Sequence, residues 1–229
     1  EDLRTRIAIE EVYVHGCFRV CSHGISTKER EFLNRPEHGG EKAHVYGDTS
    51  VDLVLPLFLL LRKGRAIGPE DSFVDLGSGD GKLTLLMRLL TPASAVGVEL
   101  SPTRHAEAAA AVLQVRQALA QERQSGLVDC SGATADVRLL CGSMLQYAGL
   151  ADTTLVFVYN LCLDVPFLQK LRTCLLSQLP TGASVLVRGK ALPDDDGSMA
   201  MGGDREGRRK RLALRLRLTM FYGYQVVEE

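Results

Sequence analysis

Apolar residues along this chain fall in short runs, and the period of each run predicts an element. Phe73 to Leu76 is a brief apolar run that ends in glycines and gives way to leucines at helical spacing, Leu83, Leu86, Leu89 and Leu90, before a second run, Ala95 to Val98, closes on Glu99. This reads strand, tight turn, helix, strand, with Gly77-Ser78-Gly79-Asp80-Gly81 as the turn. Such a β-α-β unit places a small-molecule pocket at the carboxyl ends of parallel strands. Upstream, Val51 to Leu61 is apolar throughout and contains Pro56, which predicts a buried helix that Asp48, Thr49 or Ser50 can cap. Downstream, Ser101-Pro102 starts a helix running to about Gln124, where Ser125-Gly126 ends it. Strands are predicted at Val137–Cys141, Thr154–Val158 and Ser184–Arg188, with a helix before the last whose inward stripe is Leu168, Leu171, Leu175 and Leu176.

The two ends of the chain differ in texture. Val12 to Cys21 alternates as a strand does, and Ser22 to Lys42 is polar with weak helical periodicity, a segment expected to move or fold over substrate. Pro193 to Lys210 is turn-rich and carries Asp194, Asp195 and Asp196, which predicts a substrate-side loop. Beyond it Leu212, Leu214, Leu216 and Leu218 alternate with Arg211, Ala213, Arg215 and Arg217, a strand expected to pair with Tyr222–Val227 in an antiparallel hairpin. The division expected is a lead-in over residues 1–44 and a catalytic domain over residues 45–229.

Composition narrows the picture. With 45% hydrophobic residues in 229, the chain can bury a full core, and a formal net charge of -1 gives no global field for nucleic acid. The longest apolar run is too short to cross a bilayer, so no membrane partner is expected. The first residue is Glu1, from which a trimmed fragment is expected. The 6 cysteines are scattered through predicted elements, which suggests reduced thiols of an intracellular protein. His15, Cys17, Cys21 and His23 look like metal ligands, but on a strand rising about 3.3 Å per residue the two histidines would stand roughly 26 Å apart, and no metal is assigned.

The glycine spacing separates two cofactors. A dinucleotide turn wants G-x-G-x-x-G, whereas here the third glycine comes one residue early and Lys82 takes the dinucleotide position. The run resembles the D-x-G-x-G-x-G signature of class I S-adenosylmethionine methyltransferases. The resemblance implies that Asp75 and the turn Gly77, Ser78, Gly79 and Gly81 hold the methionyl end of S-adenosylmethionine, and that Glu99 takes the ribose hydroxyls, a task for an acceptor-only group. The segment VYGDTSVDLV looks like the cofactor-loop motif V-Y-G-E-T of the Dot1 family of histone lysine methyltransferases, with Asp48 in the place of glutamate; Tyr46 and Thr49 become cofactor contacts. Ser143 and Met144 stand where the family has G-D-F beside adenine. Tyr159-Asn160-Leu161-Cys162-Leu163 is similar to the family's V-N-N-F-A-F segment, so Tyr159 and Asn160 are both candidates for the lysine channel, Asn160 also for the cofactor. Phe221-Tyr222 is similar to a family tyrosine pair that lines the channel, which makes Tyr222 a channel candidate, although the family's channel tryptophan has no counterpart in a chain with Trp 0.

The fold implied is a class I methyltransferase (Rossmann-like), a mostly parallel seven-stranded sheet with helices on both faces and a C-terminal antiparallel hairpin. The activity implied is methyl transfer to a core lysine of histone H3 in nucleosomes, by a nuclear, monomeric enzyme. Arg205, Arg208, Arg209, Lys210, Arg211, Arg215 and Arg217 form a basic stripe expected to meet nucleosomal DNA or the acidic histone surface, chiefly through Arg208, Arg209, Lys210 and Arg211. The competing readings are another class I protein lysine methyltransferase with a non-histone substrate, an N6-adenine nucleic-acid methyltransferase, for which Asn-Pro-Pro-Tyr is missing after the fourth strand, and a binding module that keeps the fold as scaffold.

Overall fold

The computed structural model describes residues 24–45, 47, 49–124, 137–193 and 210–228. Its strands are β1 (Ser72–Leu76), β2 (Ser94–Glu99), β3 (Val137–Cys141), β4 (Leu155–Tyr159), β5 (Ser184–Arg188), β6 (Lys210–Leu218) and β7 (Phe221–Glu228). They form one 7-stranded sheet in the order β3-β2-β1-β4-β5-β7-β6. The first five strands are parallel and β7 runs antiparallel to both β5 and β6. The chain builds outward from β1 to β3, then crosses back to add β4 on the other side. That reversal opens a crevice between the carboxyl ends of β1 and β4.

The helices are α1 (Thr27–Leu33), α2 (Val51–Leu61), α3 (Lys82–Leu90), α4 (Pro102–Gln124) and α5 (Val165–Gln178). Helices α2, α3 and α4 pack on the face that presents Phe73, Phe157 and Leu186, and α5 packs on the face that presents Val74, Val156 and Val185. The central strands are therefore buried on both faces, which is why they read as unbroken apolar runs and not as alternation. Helix α2 buries Val51, Val54, Leu57, Phe58 and Leu61, yet Leu53 and Leu60 stay exposed at 50% and 64%, so the buried helix expected from its composition is buried on one side only.

Helix α1 lies inside the polar segment where periodicity is weak. Ser26 caps it by accepting from the Glu29 amide at 3.2 Å. Its docking comes from Glu29, whose carboxylate accepts from both Ser101 and Thr103 hydroxyls at 2.5 Å at the start of α4. Burial opposes ionisation of Glu29, but those hydroxyls, the Thr103 amide and nearby Arg104 outweigh it and hold the carboxyl below its ordinary value.

At the amino-terminal end of the parallel strands, Asp71 is buried and receives Arg62 in a fork, Nη1 at 2.7 Å and Nη2 at 2.8 Å, together with the Gly68 amide and the Thr154 hydroxyl. Burial alone would raise this carboxyl; the four donors bring it below its ordinary value. The network ties α2 to the starts of β1 and β4.

The leucine alternation of β6 does not give one buried face. The β6–β7 register shifts between Leu214 and Leu216, and the extra residue moves the leucines from one side of the sheet to the other: Leu212 packs with the α5-side core and Leu216 with the α2-side core, while Leu214 and Leu218 are exposed. The strand expected over residues 12–21, the cluster His15, Cys17, Cys21 and His23, and the acidic run Asp194–Asp196 lie outside the described residues. Among the described residues no helix is long and apolar enough to cross a membrane.

Candidate active site

The turn after β1 is bent by backbone that only glycine adopts without strain. Gly77, Gly79 and Gly81 have φ of 91°, 56° and 75°. The amides of Gly77 and Ser78 both donate to the Val98 carbonyl, at 2.8 and 3.0 Å, which pins the turn to the end of β2. Asp80 accepts from the Lys82 amide, the first of α3, at 3.1 Å, while the N-cap position itself is Gly81. A further glycine makes room beneath: a Cβ on Gly97 would stand 2.8 Å from the hydroxyls of Ser78 and Thr84.

Two carboxylates are held at this turn in different ways. Glu99, at the end of β2, accepts from the Gly79 amide through Oε2 and from the Ser101 amide through Oε1, each at 2.8 Å. One bond to each oxygen fixes the carboxylate in orientation and leaves further lone pairs for a ligand. Asp75 is sealed under the turn, where the Thr84 hydroxyl donates to it at 3.3 Å. Burial, reinforced by the charges of Glu99 and Asp80 and opposed only by that hydroxyl, pushes Asp75 up to about 8.

The crevice forms a cleft of about 740 Å³ including its mouth. It is lined by Gly77, Glu99, Leu100, Ser143 and Met144, and by His38, Gly47, Tyr159, Cys162, Leu163 and Phe167. Arg104 also lines it and donates to the His44 carbonyl. The segment after α1, which contributes His38, is held by the Asp164 amide, which donates to the Gly39 carbonyl at 2.9 Å.

The residues singled out in the sequence fall in several places. Gly77, Glu99, Ser143, Met144 and Tyr159 line the cleft together. Ser78, Gly79 and Gly81 shape the turn, and Asp75 sits below it, so its side chain supports the cradle. Thr49 is buried at the cleft's edge and accepts from Arg188 at 2.7 Å. Ser143 uses its hydroxyl to accept from the Leu145 amide at 3.3 Å. Asn160 is fully buried and turned away: its amide donates to the Lys190 carbonyl at 2.8 Å and accepts from the Lys190 amide at 2.7 Å, joining the ends of β4 and β5. That pairing uses the Asn160 side chain as a backbone clasp, not as a cleft wall. Tyr222 packs with the α5-side core, whereas Tyr159 packs with the α2-side core, so the sheet separates these two expected channel residues. Arg211, Arg215 and Arg217 are exposed on β6, and Lys210 donates to the Leu179 carbonyl at 3.2 Å. Tyr46, Asp48, Arg205, Arg208 and Arg209 lie outside the described residues.

Of the residues that sequence reasoning passed over, His38 and Arg104 line the cleft, while Glu29 and Arg188 hold segments around it. Ser26 with a glutamate three residues on is a capping pattern that could have announced α1 and with it Glu29. Nothing local marks Arg188, whose partners come from three other segments of the chain.

The cleft fits a nucleoside cofactor on its own geometry, with bare backbone at Gly77, an oriented carboxylate at Glu99 and a thioether, Met144, beside it. A family model described as "Histone methylation protein DOT1" matches residues 27–195. Among curated proteins nothing matches. Among solved structures, an RNA methyltransferase from Salinibacter ruber in complex with S-adenosyl-L-homocysteine is 23% identical over 80% of this chain and 95% of that one, with a TM-score of 0.52. Phosphoethanolamine N-methyltransferase 1 of Haemonchus contortus, bound to phosphoethanolamine and S-adenosylhomocysteine, is 10% identical over 92% of this chain and 52% of that one, with a TM-score of 0.51. These two share the fold, that of class I methyltransferases. With the glycine turn, the oriented Glu99 and a match spanning most of its length, the chain belongs to the DOT1 family of histone methylation proteins.

Proposed function

We propose that this methyltransferase moves a methyl group from S-adenosylmethionine to a core lysine of histone H3 in nucleosomes. The observation that supports this reading best is one cleft whose lining brings the oriented Glu99 carboxylate together with the Tyr159 ring and the apolar Leu163 and Phe167. When bound, the cofactor supplies an electrophilic methyl on a sulfonium. Glu99 would accept from the ribose hydroxyls, held in place by the Gly79 and Ser101 amides. Gly77 lets the ligand lie against backbone, and Met144 packs beside it. Tyr159, Leu163 and Phe167, which line the same cleft, would exclude water and guide the acceptor.

Displacement at the methyl carbon needs an uncharged amine, and lysine has an ordinary pKa of about 10.4. An apolar recess favours its neutral form by withholding solvent from the ammonium. The chain's work is alignment and dehydration, so no nucleophilic side chain is required. For the nucleosome, the exposed Arg211, Arg215 and Arg217 along the edge strand β6, which the register shift divides between the two sides of the sheet, with Arg208 and Arg209 just before it in sequence, supply a cationic edge toward DNA phosphate or acidic histone surface. The place of action proposed is the nucleus.

The test is a side-by-side assay with labelled cofactor on nucleosomes, free histones and other proteins, with mass spectrometry of the products. Label on a histone H3 lysine within nucleosomes is expected. Label confined to non-histone lysines would transfer the same chemistry to another protein substrate.

A further inference from the structure

Tyr159, Arg188 and Phe221 are neighbours across three strands. Tyr159 pairs with Arg188 between β4 and β5, and Arg188 pairs with Phe221 between β5 and β7, so the three side chains stand in a row on one face at the edge of the sheet nearest the cleft. The Arg188 guanidinium carbon lies 5.3 Å from the Tyr159 ring centroid and 5.6 Å from that of Phe221. Its Nη1 donates to the Thr49 hydroxyl at 2.7 Å, and Thr49 is buried. Two residues earlier, Gly47 lies so close to Tyr159 that a Cβ there would be 2.1 Å from the ring's Cε1.

We infer that Arg188 is a positioning residue, which locks the segment carrying Gly47 and Thr49 onto the Tyr159 wall of the cleft. The segment is thereby anchored twice, directly through Gly47 and through the guanidinium at Thr49. Gly47 and Tyr159 line the cleft and Arg188 does not, so Arg188 acts through them. The chemistry requires arginine: a planar cation lies between two aromatic side chains and still donates to a third partner. A lysine ammonium reaches one of these partners at a time. The segment precedes α2, whose cap is Ser50, so a shift at Thr49 would also be felt at the start of that helix.

That the Tyr159 wall faces a methyl acceptor rests on the function proposed above. The test is therefore read on the cofactor-free protein, where it survives a failure of that reading. Hydrogen exchange at the amides of Asp52, Leu53 and Val54, which donate to Ser50 at the start of α2, is compared in wild type, R188M, T49V and the double variant. R188M is expected to raise exchange at these amides by about tenfold, with β1 to β3 unchanged, because a charge-assisted hydrogen bond and two ring contacts that hold Thr49 are lost. T49V should raise it less, and the double variant should exchange no faster than R188M, since both changes cut one connection. R188K, which keeps the charge, serves if R188M does not fold, with a rise of about threefold expected. In the methyl-transfer assay the same variants should lower kcat more than they raise the acceptor's KM. Unchanged exchange at the Asp52, Leu53 and Val54 amides, a rise spread evenly over the sheet, or effects of R188M and T49V that multiply would each overturn the assignment.

Discussion

Glu99 and Asp75 are both buried carboxylates near one glycine turn, and their surroundings give them opposite parts. Glu99 meets two backbone amides and lines the cleft, while Asp75 has a single hydroxyl at 3.3 Å and lies sealed below. The raised Asp75 value has a direct consequence for stability. Between roughly pH 4 and pH 8 the unfolded chain gives up this proton and the folded chain keeps it, so stability falls as pH rises through that window and levels off above it. Thermal unfolding of D75N should lack this decline, and the variant should gain on the wild type as pH goes from 5 to 8. Parallel pH profiles for the two proteins would show that Asp75 ionises normally. The chemical identity of both acids was readable from D-L-G-S-G-D-G and from the acid closing the second strand. The division of labour was not, because burial and amide partners depend on Thr84, Gly97 and Ser101 meeting in space. Asn160 makes the same point: its sequence position fits a channel, yet two bonds to Lys190 decide where its amide goes.

At the scale of elements, apolar runs placed the strands of the parallel sheet to within a residue, since a strand buried on both faces must be apolar along its whole length. Two elements were harder. Helix α1 has too few apolar positions to show a period, and is held by polar contacts from Glu29. As pH falls below the ordinary carboxylate range and the lowered Glu29 carboxyl takes up its proton, that docking should weaken. Limited proteolysis across this range should then cut near α1 before the sheet unfolds, and E29Q should show the early cut at neutral pH. Simultaneous loss of α1 and sheet would contradict the docking role. Strand β6 alternates cleanly in sequence, but the shifted residue between Leu214 and Leu216 cancels the expected face, and a bulge has no mark in an unbroken leucine alternation. The Asp71 network also belongs here, since it joins α2, β1 and β4. D71N would leave the Arg62 charge buried against a weaker partner and should cost about 3–5 kcal/mol in chemical denaturation. A cost below about 1 kcal/mol would mean water replaces the pair.

For the whole molecule, the order of the strands opens a crevice between β1 and β4, and the family match assigns that crevice to a methyltransferase. The nucleosome contact proposed above would fall on the outer surface, where the cations of β6 lie at the sheet edge away from β1 and β2. Replacing Arg208, Arg209 and Arg211 with alanine should weaken nucleosome binding most at low salt and leave cofactor affinity unchanged. Equal loss of both would place these cations in the cleft's own architecture. Beneath all of this lies the claim that Glu99 grips a nucleoside. Calorimetric titration of S-adenosylmethionine into wild type and E99A tests it most directly. The structure predicts one binding site in the wild type and affinity lowered by at least about tenfold in the variant, the loss expected when hydrogen bonds to a charged acceptor are removed. Equal affinity in the two proteins, or no binding to the wild type, would contradict it.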